Sequence, residues 1–155
     1  MERSIHLGMN KSFKLSNVLI RSLDISEKDL NFEAEVLKME NYMKSKGAIP
    51  IGPLIQKTSY SINEEGQLNI GVELLRQANT FIHNVEAPYK MEALLRVRNC
   101  LYARYIGPED CLKFAYDKIN IAAFEENIEL NNDSYTIFVD QHDDSIVADV
   151  FVEKK

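Results

Sequence analysis

Cysteine is scarce in this 155-residue chain, with only Cys100 and Cys111, so a disulfide framework is excluded and a reducing compartment is expected. No apolar run approaches the roughly 18 residues that cross a bilayer, and residues 1–10 lack an apolar leader core. A cytoplasmic protein without a membrane partner is therefore expected. An excess of positive charge is also missing: 18 Lys and Arg face 24 Asp and Glu, a net charge of −6. Nucleic acid is not an expected partner, because phosphate binding needs clustered cations. Glycine-rich phosphate loops, CxxC pairs and HExxH helices are absent, which removes support for nucleotide or zinc chemistry and leaves no cofactor to expect.

What is present is a globular composition, 45% apolar and 27% charged, in a length suited to one domain over 1–155. Residues 1–11 are set aside as a loose arm. Residues 12–25 alternate apolar positions through Phe13, Leu15, Leu19 and Leu23 and predict a strand. Ser26 and Asp29 resemble a helix start, followed by a stripe through Leu30, Ala34, Leu37, Met39 and Met43 that ends before Gly47. GAIPIGP over 47–53 predicts a loop, and 54–62 with 68–75 predict a hairpin.

After a linker, 76–90, the order begins again. A strand over 91–106 stops at Gly107 and Pro108, where a helix is expected to start, with Leu112, Ala115, Tyr116, Ile119 and Ala123 on its apolar side. Strands at 135–140 and 145–153 close the chain. The repeats, 12–75 and 91–155, align at four anchors: NVLIRSLDIS with NCLYARYIGP, Leu30 with Leu112, Tyr60 to Ile62 with Tyr135 to Ile137, and Asn69 to Glu73 with Asp149 to Glu153. The fold class read from this is α+β, two pseudo-symmetric β-α-β-β repeats in one mostly antiparallel sheet with helices on one face.

Alternation assigns faces. Leu95, Val97, Leu101, Ala103 and Tyr105 fall on one side of the long strand, and Arg96, Arg98, Cys100, Tyr102 and Arg104 on the other. In the last strand Ile146, Ala148, Val150 and Val152 are the apolar side. The opposite face then carries Tyr102, Arg104, Asp149 and Phe151, joined by Asn69 and Glu73 from the first copy. These six are the candidate ligand-binding residues, a carboxylate among rings that suits a small cationic or aromatic molecule. The alternative is that arginines simply neutralise Asp149 and Glu153 across neighbouring strands.

At LYARYIGPEDCLKFAYDKI and the terminal DVFVEK the chain resembles the GyrI-like, or effector-binding, domains that occur alone and attached to bacterial transcription activators. The resemblance spans nearly the whole chain. It implies a pseudo-twofold sheet, a central cleft between the repeats for small cationic or aromatic molecules, and a carboxylate from the final strand, usually a Glu before an apolar residue and a Pro. Asp149 stands at that place, and Glu153 falls where the Pro region is expected. Through Gly52-Pro53-Leu54 and the YIGP turn the chain also looks like uncharacterised proteins of Gram-positive bacteria, some associated with type VII secretion clusters, which implies an accessory role.

Catalytic sets are missing. His6, His83 and His142 fall in a tail, a linker and a turn, Cys100 reads as packing, and Cys111 sits at a helix start. Asp140, His142, Asp143 and Asp144 resemble metal ligands but are also ordinary turn residues, and no metal site is assigned. The expected function is non-enzymatic binding of a small molecule. The alternatives are a protein-interaction or secretion-accessory factor, and a carboxylate-dependent hydrolase. Oligomeric state is not determined by the sequence.

Overall fold

Each half of the chain builds the same motif, a strand, a helix and a two-stranded hairpin. The computed structural model describes residues 3–155. Met1 and Glu2, part of the expected loose arm, lie outside the described residues. The chain is α+β, in element order β1 (Ser4–Leu23), α1 (Phe32–Ser45), β2 (Pro50–Ile62), β3 (Leu68–Ala78), β4 (Tyr89–Gly107), a 3₁₀ turn (Glu109–Cys111), α2 (Lys113–Glu125), β5 (Leu130–Gln141) and β6 (Ile146–Lys154). No helix among the described residues is long and apolar enough to cross a membrane. The chain forms two compact units, Lys14–Arg96 and the chain up to Phe13 with Val97–Lys155.

In the unit Lys14–Arg96, β3 lies between β1 and β2 and pairs antiparallel with both. β1 and β2 therefore run parallel with a one-strand gap, crossed by α1 and filled when the chain turns back as β3. Leu19, Leu23, Met39, Met43, Val72 and Leu74 form the core. The second unit repeats this order, with β6 between β4 and β5. Leu101, Ala103, Tyr105, Ala115, Ile119, Ile146, Ala148, Val150 and Val152 form its core, so the four apolar residues of the last strand face α2 as alternation required.

Several boundaries differ from expectation. Residues 4–11 are strand, not a loose arm. α1 begins at Phe32, where the Asn31 side chain accepts from the Ala34 amide; Ser26 instead donates to Asp24 in the preceding turn. A real cap two residues into the apolar stripe outcompetes the sequence-level one. β2 starts at Pro50, the first residue of the strand, and a bulge between Ile51 and Ile55, with Gly52 at φ +70°, absorbs the missing donor of Pro53. Asn131 to Asp133, expected as a break, lie at the matching bulge of β5, between Leu130 and Ser134. Linker residues shrink to 79–88. Pro108 adopts an extended conformation and leads a 3₁₀ turn, so α2 starts only at Lys113.

The repeats also share features that the alignment did not anticipate. Asn17 and Asn99, each the first residue of the leading anchor, both adopt left-handed backbone, at φ +52° and +55°. After Asn99, neighbouring Cys100 and Leu101 are both fully buried, Leu101 within the core against α2. Both helices end alike. Gly47 and Asn127 take left-handed conformations, and the amides of Ala48 and Ile128 reach back to the carbonyls of Met43 and Ala123 at 2.9 and 2.8 Å.

Candidate functional site

Strand register decides what surrounds Asp149. It stands opposite Arg104 on β4 and Ile137 on β5, while Tyr102 stands opposite Phe151. Because their neighbours Ala103, Val150 and Ala148 point into the core against α2, these side chains occupy the other face. Arg104 donates from Nε to Asp149 Oδ1 at 2.7 Å and from Nη2 to Oδ2 at 2.9 Å, a two-pronged charge-assisted pair. The Tyr102 hydroxyl donates a third bond to Oδ1 at 2.9 Å. The pair raises the affinity of the guanidinium for its proton through those hydrogen bonds and the adjacent negative charge. Burial, then the hydrogen bond to Asp149, pushes the Tyr102 phenol up.

Rings extend the site. Phe151 lies 5.0 Å from Tyr102 and 4.7 Å from Phe13, and Phe13 meets Tyr135 edge-on at 5.2 Å. Such tilted contacts are the favoured aromatic geometries. Lys11 Nζ stands 6.0 Å from the Tyr102 ring centre. A Cβ on Gly8 would come within 3.1 Å of Tyr102 and 3.2 Å of the Lys11 chain, so β1 passes closely over this ring. Sequence reading missed Lys11, because residues 1–11 were set aside, and it did not join Phe13 or Tyr135 to the site. The alternate apolar position of Phe13 was the available signal.

Four of the six expected residues, Tyr102, Arg104, Asp149 and Phe151, thus meet in one unit. Asn69 and Glu73 lie on β3 of the other, where Asn69 pairs with Ser61 and is exposed. Glu73 accepts from the Ser22 hydroxyl at 3.2 Å and lies 3.8 Å from Lys57 Nζ. Register corrects one equivalence. Ser22 and Arg104 hold the same place in the leading anchor, and they stand opposite Glu73 and Asp149 respectively, so Glu73, not Asn69, is the counterpart of Asp149. Ile20 and Leu75 occupy the places of Tyr102 and Phe151. The first repeat has the carboxylate without rings or guanidinium.

Other chemistry is sparse. Burial, with the nearby Glu153, pushes the Cys100 thiol up to about 11. His142 Nε2 lies 3.1 Å from Asp140 Oδ2 with both side chains more than half exposed, and among the described residues no three His, Cys, Asp or Glu side chains converge as metal ligands.

No family model matches the chain, and no curated protein matches it. Among solved structures, a chain from the cryo-EM structure of the EcmrR–DNA complex in EcmrR-RPo aligns at a TM-score of 0.63 and 19% identity. The two share a fold. The alignment covers 99% of this chain and 58% of that one, so this chain spans little more than half of its neighbour's length.

Proposed function

We propose that this chain is a non-enzymatic ligand-binding domain of the effector-binding type, with its recognition surface on the aromatic face around Tyr102, Phe151 and Asp149. The carrying observation is a run of four rings, with half-buried Tyr102 and Phe13 backed by buried Phe151 and Tyr135, beside a charge pair on the sheet face turned away from α2. The resemblance to GyrI-like domains and the shared fold with the EcmrR chain support this reading, as does the loss of rings and guanidinium at the equivalent positions of the first repeat. A flat aromatic molecule fits such a surface by stacking.

Catalysis is disfavoured on geometry. A general base needs a free lone pair directed at substrate, and the bonds from Arg104 and Tyr102 fill three of the roughly four acceptor positions of Asp149, leaving at most one on Oδ2. Direct DNA contact is not part of the proposal, because a net charge of −6 opposes it. A thermal-shift screen of flat aromatic molecules tests the function: a ligand at 100 times its Kd stabilises the fold by about 2.7 kcal/mol. Tyr102→Ala is expected to abolish that shift. No shift with any compound, or one unchanged in Tyr102→Ala, rejects the site.

One observation favours a second reading, docking of another protein chain. Tyr60, Ile62, Leu68 and Ile70 are cross-strand partners on one side of the β2–β3 hairpin tip and are 41–74% exposed. Ile62→Lys is then expected to reduce partner capture in a pull-down.

A further inference from the structure

We infer that the ligand of the Tyr102 face carries an anionic group, and that Arg104 and Lys11 read it. This rests on the proposed aromatic-ligand function and fixes the charge of the molecule. A carboxylate among rings invites a cation when read from sequence. The folded geometry reverses what an approaching molecule meets. The Asp149 side chain is 12% exposed, whereas the Arg104 side chain is 44% exposed. Asp149 has its own cation already, held through two guanidinium bonds and supported by the Tyr102 hydroxyl. An organic cation would have to break those charge-assisted bonds, each worth about 1.5–3 kcal/mol, and an ammonium would at best re-form them with its own N–H donors.

An anion leaves the pair intact. Arg104 uses Nε and Nη2 on Asp149, and Nη1 takes no part in those bonds. Exposed Lys11 adds a second positive charge beside the Tyr102 ring. Lys11, Arg104 and Asp149 together leave one net positive charge beside the Tyr102 ring. That complementarity selects a small aromatic carboxylate, its ring against Tyr102 and its oxygens toward Nη1 of Arg104 and Nζ of Lys11.

Calorimetric titration of the full chain with 2-naphthoate, 2-naphthylmethylammonium and neutral 2-naphthylmethanol tests this. Naphthoate is expected to bind at least about tenfold more tightly than either isostere, a difference of about 1.4 kcal/mol, and to weaken as salt is raised. Lys11→Gln, on an exposed side chain, should reduce that preference severalfold. Arg104→Gln should abolish it. Equal or tighter binding of the ammonium compound, or a naphthoate preference that survives both substitutions, overturns the anionic reading while leaving the aromatic site in place. Failure of all three probes to bind overturns the aromatic site as well.

Discussion

Gly107 shows how one residue can be under two constraints at once. It ends β4 at φ +155°, and a Cβ placed there would stand 2.8 Å from the Tyr105 hydroxyl and 3.1 Å from its ring carbon. Tyr105 cannot give way easily: it is fully buried and its hydroxyl donates to the Pro108 carbonyl. Gly107→Ala is expected to cost about 1–3 kcal/mol, read as a lower denaturant midpoint. In a Tyr105→Phe background the same substitution should cost measurably less, because the hydroxyl it meets is gone; equal costs in both backgrounds would place the strain elsewhere. The Gly-Pro pair was legible as a stop signal. Its tyrosine contact was not, since the pattern of the strand does not show how closely the Tyr105 ring approaches the backbone at Gly107.

At the scale of the element, α2 shows the limit of apolar periodicity. Its buried positions, Ala115, Ile119 and Ala123, recur every four residues as the sequence indicated, while Ile121 is 58% and Phe124 85% exposed. Ile119→Ala should destabilise the protein by about 2–5 kcal/mol, and Phe124→Ala by less than about 0.5 kcal/mol, compared by urea denaturation. A similar cost for both would mean that Phe124 is covered in solution. α1 is narrower still: of its broad stripe only Met39 and Met43 are buried, and Leu37 is 59% exposed. Arg21 and Arg76 from the strands reach Glu35 and Glu40 on that helix, so part of its attachment is ionic, which apolar patterning cannot display.

For the whole molecule, pH sets one testable dependence. The folded Cys100 thiol is raised from 9.0 to about 11, chiefly by burial, and Tyr102 and Tyr105 are raised in the same direction by burial. These groups are neutral when protonated, so above pH 9 the unfolded chain releases protons that the folded one keeps, and stability falls as pH rises. Two pH units for Cys100 amount to a loss on the order of 2 kcal/mol by about pH 11. Thermal melts between pH 8 and 11 should show the decline, and Cys100→Ala should flatten it over the lower part of that range; an unchanged slope would assign the effect to the tyrosines alone.

The repeat itself, its β-α-β-β order, the inward side of β6 and the grouping of Tyr102, Arg104, Asp149 and Phe151 were determined by the sequence. Side-chain alternation along paired strands is a local rule and survives without knowledge of the partner. Register was not determined. Equating Asn69 with Asp149 slid the hairpins past one another, because strands of similar composition align at several offsets, and only the backbone ladder chooses between them. The charge presented by the site was likewise decided by tertiary structure alone. Sequence counts Asp149 as a negative group; the fold places Arg104 directly opposite, buries the carboxylate under it and leaves the guanidinium outermost.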